Sequence, residues 1–188
     1  GSVDGWDFKA YVLGMLFYRF ISEDLTRYLN EQELAAGEKD FDYTELSDED
    51  AENGRASTVA EKGYFILPSE LFQNVAKRCG ADENLNETLS GIFDAIEDSA
   101  KGTPSEQDMD GLFSDFNVNS NKLGATVAQR NEKLCKIINE IGKLKLGSSI
   151  SETTNDTFGD AYEYLMEMSA SNAGKSAGAH FTPQELAR

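Results

Sequence analysis

The stretch WDFKAYVLGMLFYRFISEDLTRYL, residues 6–29, decides the fold. Its residues Ala10, Leu13, Phe17, Ile21, Leu25 and Tyr28 recur at three- and four-residue steps, the period of one buried helical face. Met15, Leu16, Tyr18 and Phe20 fill much of the opposite side, so the pattern predicts a helix that is apolar nearly all round. Such a helix sits in the middle of a domain, and Lys9, Arg19, Glu23 and Arg27 are expected to mark its few wet edges. The most apolar run, Ala10 to Tyr18, is nine residues long. A bilayer span needs ~20, so this run is a core helix.

Working outward, Glu31 to Glu61 turns acidic and polar, with only Leu34, Phe41, Tyr43, Leu46 and Val59 available to pack. It reads as a long, mobile acidic loop with room for one short helix. Lys62 to Leu67 is a short aromatic run suited to an extended segment, and Pro68 then opens a helix through Arg78 that Gly80 ends. Asp82 or Asn84 caps a helix striped by Leu85, Leu89, Ile92, Phe93 and Ile96. Ser105 and Asp108 stand in capping-box-like spacing before Leu112, Phe113 and Phe116. A helix from Leu123 to Leu146 carries the apolar row Val127, Leu134, Ile137, Ile138 and Ile141, and Asp156 to Ala170 forms another. Residues 171–178 are small and glycine-rich, a linker, after which Thr182 and Pro183 start a helix that stops within about two turns. The class expected is all-α, a multi-helix bundle with room for one short β element.

A chain of 188 residues with formal charge −17 sustains one main domain and repels polyphosphate unless basic residues gather on one face. A solubilising acidic surface is the preferred explanation; the alternative is a self-contained acidic binding protein such as a DNA mimic. Cys79 and Cys135 lie far apart, without CxxC spacing, and His180 is the sole histidine. Isolated buried thiols in a reduced, cytoplasmic protein are therefore expected, with Cys79–Cys135 pairing left open and no metal site. No signal peptide is legible.

Candidate chemistry is sparse. Gly174-Lys175-Ser176 suggests a phosphate loop, but Ser169 stands where the motif requires glycine and no strand precedes it. Asp48/Asp50 and Asp94/Asp98 read as solvated helix faces rather than acid–base pairs. Positive charge is concentrated on the Leu123–Leu146 helix, and Lys122, Arg130, Lys133 and Lys136 are the candidates for contact with DNA or an acidic partner. No catalytic residue is assigned.

Three stretches, in order, carry a resemblance. Residues 1–9 with Tyr11-Val12-Leu13-Gly14 and residues 16–22 form the first. Lys62-Gly63-Tyr64-Phe65-Ile66, Pro68-Ser69, Leu112-Phe113 and Asp115-Phe116 form the second. Residues 158–165, Ala173-Gly174-Lys175-Ser176 and Phe181-Thr182-Pro183 form the third. Together they resemble the amino-terminal helical segment of the modification (methyltransferase) subunit of type I restriction-modification enzymes. The resemblance implies a helical domain over 1–170 with an acidic loop at 31–61. It implies that 171–188 is a linker into the first helix of a missing α/β methyltransferase domain.

It implies a parent that methylates adenine N6 from S-adenosylmethionine, with a specificity subunit, a second modification subunit, restriction subunits and DNA as partners and no membrane. Ala179, His180, Phe181, Thr182, Pro183 and Gln184 would line one edge of the cofactor site, a helix start suited to a carboxylate. Pro68, Pro104 and Pro183 are the only prolines, so the adenine-gripping Asn/Asp-Pro-Pro-aromatic motif is missing, as is a GxG after an apolar strand. The expectation is a non-catalytic assembly and DNA-enclosing module that binds no cofactor by itself.

Overall fold

The structure, a computed structural model, describes the backbone of residues 5–144 and the side chains of residues 10–144. Its helices are α1 (Gly5–Ala35), α2 (Asp48–Glu52), α3 (Arg55–Lys62), α4 (Phe72–Arg78), α5 (Leu85–Ser99), α6 (Glu106–Leu112) and α7 (Val127–Lys143). Short 3-10 turns stand at Tyr43–Glu45, Pro68–Glu70 and Cys79–Ala81. No strand occurs among the described residues, and the class is all-α as the periodicity predicts.

Helix α1 is the centre. Tyr11, Met15, Leu16, Phe17, Tyr18, Phe20, Ile21 and Leu25 are all buried, and α4 and α7 pack directly on it. Gly14 lets a ring lie on bare backbone: a Cβ there would stand 2.6 Å from Phe116 Cδ2. Phe116 meets Tyr11 edge-on at 5.0 Å and Phe93 at 5.1 Å, while Phe93 stacks on Phe113 at 4.1 Å. Tyr18 closes the cluster, edge-on to Phe72 and Phe93. Such pairs each add ~0.5–1.5 kcal/mol to the area they bury.

Two charged positions on α1 have a different setting from the wet edges expected. The Arg19 side chain is 13 % exposed and is engaged by Glu23 and by the end of α7. Arg27 reaches Asp24, which is 8 % exposed and also takes Lys62 Nζ at 2.7 Å. Charge survives there because it is paired within the fold.

The acidic stretch 31–61 folds instead of looping out. Helix α1 runs on through Ala35 and ends at Gly37, whose φ of 98° favours glycine. Asp42 caps the following turn by accepting from Thr44 N, and Ser47 caps α2 by accepting from Asp50 N. Buried Tyr43 is held at both ends: its N–H donates to Asn30 Oδ1 and its hydroxyl donates to Ile66 O at 2.7 Å. Caps and one anchored tyrosine order a segment that has no apolar period.

Residues 64–67 belong to no helix or strand, and Leu67 at their end is extended. Side chains stand in for a ladder. Phe65 N donates to Ser99 Oγ, Ile66 O accepts from Tyr43, and Gly63 O accepts from Thr103 Oγ1. The helix expected from Pro68 divides in two because Leu71 is extended, with ψ at 142°. Phe72 N, freed by that break, donates to Ser22 Oγ. Ser105 heads α6 without a side-chain cap, and Thr103 supplies the acceptor for Ser105 N instead.

The two cysteines are not isolated thiols. Cys79, just after α4, and Cys135, midway along α7, are joined as a disulfide with their Cα atoms 5.5 Å apart, inside the span such a bond bridges. A sequence separation of 56 hides the proximity, which comes from packing α7 on α4.

Candidate partner and nucleic-acid interface on helix α7

Helix α7 begins four residues later than Leu123, because Thr126 and Gln129 form a complete capping box. Its inner face buries Asn131, Leu134, Ile137, Ile138 and Ile141. Asn131 acts at both ends of a contact: its Oδ1 accepts from Asn86 N in the first turn of α5, and its Nδ2 donates to Glu83 O. A buried amide thereby caps a neighbouring helix whose own Asn84 offers no side-chain cap.

The candidate basic residues have unequal settings. Lys122 is exposed but lies in the loop before α7. Arg130 holds that loop, donating Nε to Gly124 O and Nη2 to Asn121 Oδ1, both at 2.9 Å. Lys133 is half-buried and Lys136 is exposed. At about 100° per residue, Arg130, Lys133 and Lys136 spread over roughly a third of the helix circumference, so they do not form one line.

Lys136 and Lys143 line an open cleft between α7 and the turn that leads into α5. Glu132 and Glu140 line it from α7, and Asp82 and Glu83 from the opposite wall. Lys143 Nζ stands 3.9 Å from Glu140, with both side chains largely exposed. The sequence shows Glu132 and Glu140 as the opposing charge; the fold adds Asp82 and Glu83. The cleft is therefore of mixed sign, better matched to a protein surface carrying both charges than to a bare phosphate backbone.

The end of α7 is the feature sequence reading missed. Arg19 Nη1 donates to Ile141 O and Leu144 O, each at 2.6 Å, while Arg19 Nε pairs with Glu23 at 3.0 Å. A charged donor thus meets the carbonyls that a helix end leaves unpaired. An arginine inside an apolar helix was the available signal.

Other ionisable groups are tuned by burial. The hydroxyls of Tyr18 and Tyr64 are pushed well above the ordinary phenol value, first by burial, and remain donors to Glu70 O and Ile21 O. Burial, then Asp110, Asp94 and Asp98, raises Glu97 above the usual carboxylate range. Burial, then Asp48, raises Glu70. Neither acid lies on α7. Among the described residues no helix is long and apolar enough to cross a membrane, and no cluster of His, Cys, Asp and Glu suits a metal ion. Residues 179–184 lie outside the described residues.

The sequence matches the family described as HsdM N-terminal domain over residues 1–141, and the family described as N-6 DNA methylase over residues 153–188. It is 46 % identical over 193 residues to the methylase subunit of the type I restriction enzyme MpnII of Mycoplasma pneumoniae, covering 99 % of this chain but 35 % of that subunit. It is similar in structure to the methyltransferase subunit of a type I restriction-modification system from Streptococcus thermophilus, at a TM-score of 0.64 and 29 % identity. That likeness covers 98 % of this chain and 38 % of the other. The central α1, the caged acidic segment and the fastened α7 therefore describe a chain that belongs to the HsdM N-terminal domain family.

Proposed function

We propose that this chain is the amino-terminal helical module of a type I DNA adenine-N6 methyltransferase subunit, serving subunit assembly and the enclosure of DNA, without catalysis of its own. The observation that carries the reading is the order of the two matches: a helical family over 1–141 and the start of an N-6 DNA methylase over 153–188. In this reading residues 1–170 form the module and 171–188 lead into the methyltransferase domain.

The parent enzyme uses S-adenosylmethionine, and Ala179, His180, Phe181, Thr182, Pro183 and Gln184 form one edge of that cofactor's site; the support is the Phe181-Thr182-Pro183 sequence, whose Thr-Pro pattern is expected to open a helix. The module's partners are the specificity subunit, a second modification subunit, the restriction subunits and DNA, in the cytoplasm. Lys122, Lys133 and Lys136 are the DNA-facing or partner-facing cations. Arg130 contributes by holding the loop that carries Lys122.

The test uses the complete subunit assembled with its specificity subunit. Lys133→Glu together with Lys136→Glu is expected to weaken DNA binding at moderate salt and to flatten its salt dependence. Unchanged affinity and slope with normal assembly would remove DNA contact from these lysines. Failure of the wild-type subunit to associate with a specificity subunit would favour a self-contained acidic binding protein.

A further inference from the structure

We propose that Cys79 and Cys135 form a reversible dithiol–disulfide pair through which the redox state of the surroundings sets how firmly α7 is held to the rest of the domain. The pair joins the turn after α4 to the middle of α7, across a sequence separation of 56. It lies between two other fastenings of that helix, Asn131 toward α5 and Arg19 on the last carbonyls. The bond is thus a third, central attachment, and the only covalent one among the described residues.

Both states are compatible with the fold. Leu134, Ile138 and Ile141 are buried in a seam of α7 against α1 and α5 that does not depend on either sulfur, so opening the bond is expected to loosen α7 without exposing the core. Access is asymmetric. Cys79 is 4 % exposed, whereas Cys135 is half-buried, and both face the open cleft shared with Lys136 and Asn139. An incoming thiolate therefore meets the Cys135 sulfur first.

The reductant is a dithiol. Its thiolate attacks Cys135 Sγ, the S–S bond breaks, and the electron pair leaves with Cys79 Sγ, which takes up a proton. The second thiolate of the reductant then attacks its own sulfur in the mixed disulfide and releases Cys135, which is protonated in turn. Two electrons pass to the protein and the reductant leaves as a disulfide; the disulfide form of the same couple drives the reverse. The inference rests on this packing and is independent of the methyltransferase reading.

The experiment equilibrates the full chain in reduced or oxidised dithiothreitol, traps thiols with iodoacetamide for intact-mass measurement, and follows hydrogen exchange along α7. The oxidised chain is expected to carry no label and the reduced chain two, with unchanged helical content. Amides of residues 127–143 should exchange at least tenfold faster in the reduced chain, and Cys79→Ser should match it and ignore dithiothreitol. The proposal is overturned if both cysteines label under oxidised dithiothreitol, if the native bond resists reduced dithiothreitol, or if α7 exchanges equally in both states. The wild-type comparison stands even where a variant folds poorly.

Discussion

One guanidinium nitrogen, Nη1 of Arg19, serves two carbonyl oxygens at the end of α7, Ile141 O and Leu144 O, each at 2.6 Å. The first helix of the domain thereby closes the last one described. Hydrogen bonds to charged groups contribute about 1.5–3 kcal/mol each, and this pair shares one donor.

Replacing Arg19 with Met keeps much of the apolar stem and removes the donors. The expected cost is about 2–4 kcal/mol in chemical unfolding, with faster exchange confined first to the last turn of α7. Arg19→Lys should restore part of the loss, since one ammonium can still reach a carbonyl. Equal stability of Arg19→Met and wild type would show that the Arg19 contacts add nothing to what the apolar seam, Asn131 and the disulfide already hold.

The buried charges around Asp24 make a second prediction. Lys62 and Arg27 both converge on this carboxylate, and Lys62 is itself only 15 % exposed in its side chain. Asp24→Ala leaves Lys62 uncompensated and should cost about 3–5 kcal/mol. The double variant Asp24→Leu with Lys62→Met should recover most of that in urea titrations, because removing both charges removes the desolvation penalty. A double variant no better than the single would mean the pair itself is net stabilising.

Gly63 ends α3 with φ of 86°, its N–H donating to Val59 O at 2.8 Å. A Cβ there would also press on Ser105, 3.1 Å from that residue's Cβ. Gly63→Ala should therefore lower stability by about 1–3 kcal/mol, and combining it with Ser105→Gly should relieve the contact but not the backbone strain. Thermal unfolding of the single and the double variant separates the two causes.

Glu97 supplies a pH dependence. Burial and the carboxylates of Asp110, Asp94 and Asp98 raise its pKa above the unfolded value, so the folded chain binds the proton more tightly than the unfolded one. Stability contributed by this site is present when the group is protonated and is lost as pH rises through the raised value. Glu97→Gln should accordingly raise the unfolding free energy modestly at pH 7, by no more than about 0.5 kcal/mol after solvent screening. The gain should shrink as pH falls through the raised value and Glu97 takes up its proton. A gain independent of pH would point to packing rather than charge.

The legible parts of this fold were those written as periodicity. The stripes of α1, α5 and α7 place Phe17, Ile21, Leu89, Ile92, Leu134 and Ile138 in the core as their spacing predicts. What escaped was written in single side chains acting over distance. Tyr43 anchoring 31–61, Asn131 capping α5, Arg19 closing α7 and Cys79 meeting Cys135 each join residues far apart in sequence, and no local window contains both partners. The setting of the candidate basic row was hidden for the same reason: Arg130 is engaged by Asn121, Gly124 and Ala125, and Asp82 and Glu83 face Lys136 across a cleft that only the packing creates.

Because α1 is buried on nearly every side and its Arg19 is satisfied by residues 141 and 144, it leaves the ribosome ahead of every element that covers it. Its aromatic surface is covered step by step, by Phe72 of α4, Phe93 of α5 and then Phe116, while Arg19 waits for residues 141 and 144. Nascent chains of this domain should therefore engage holdase chaperones through α1. Release should come only once α7 has cleared the exit tunnel, as the stretch from residue 153 onward is being made.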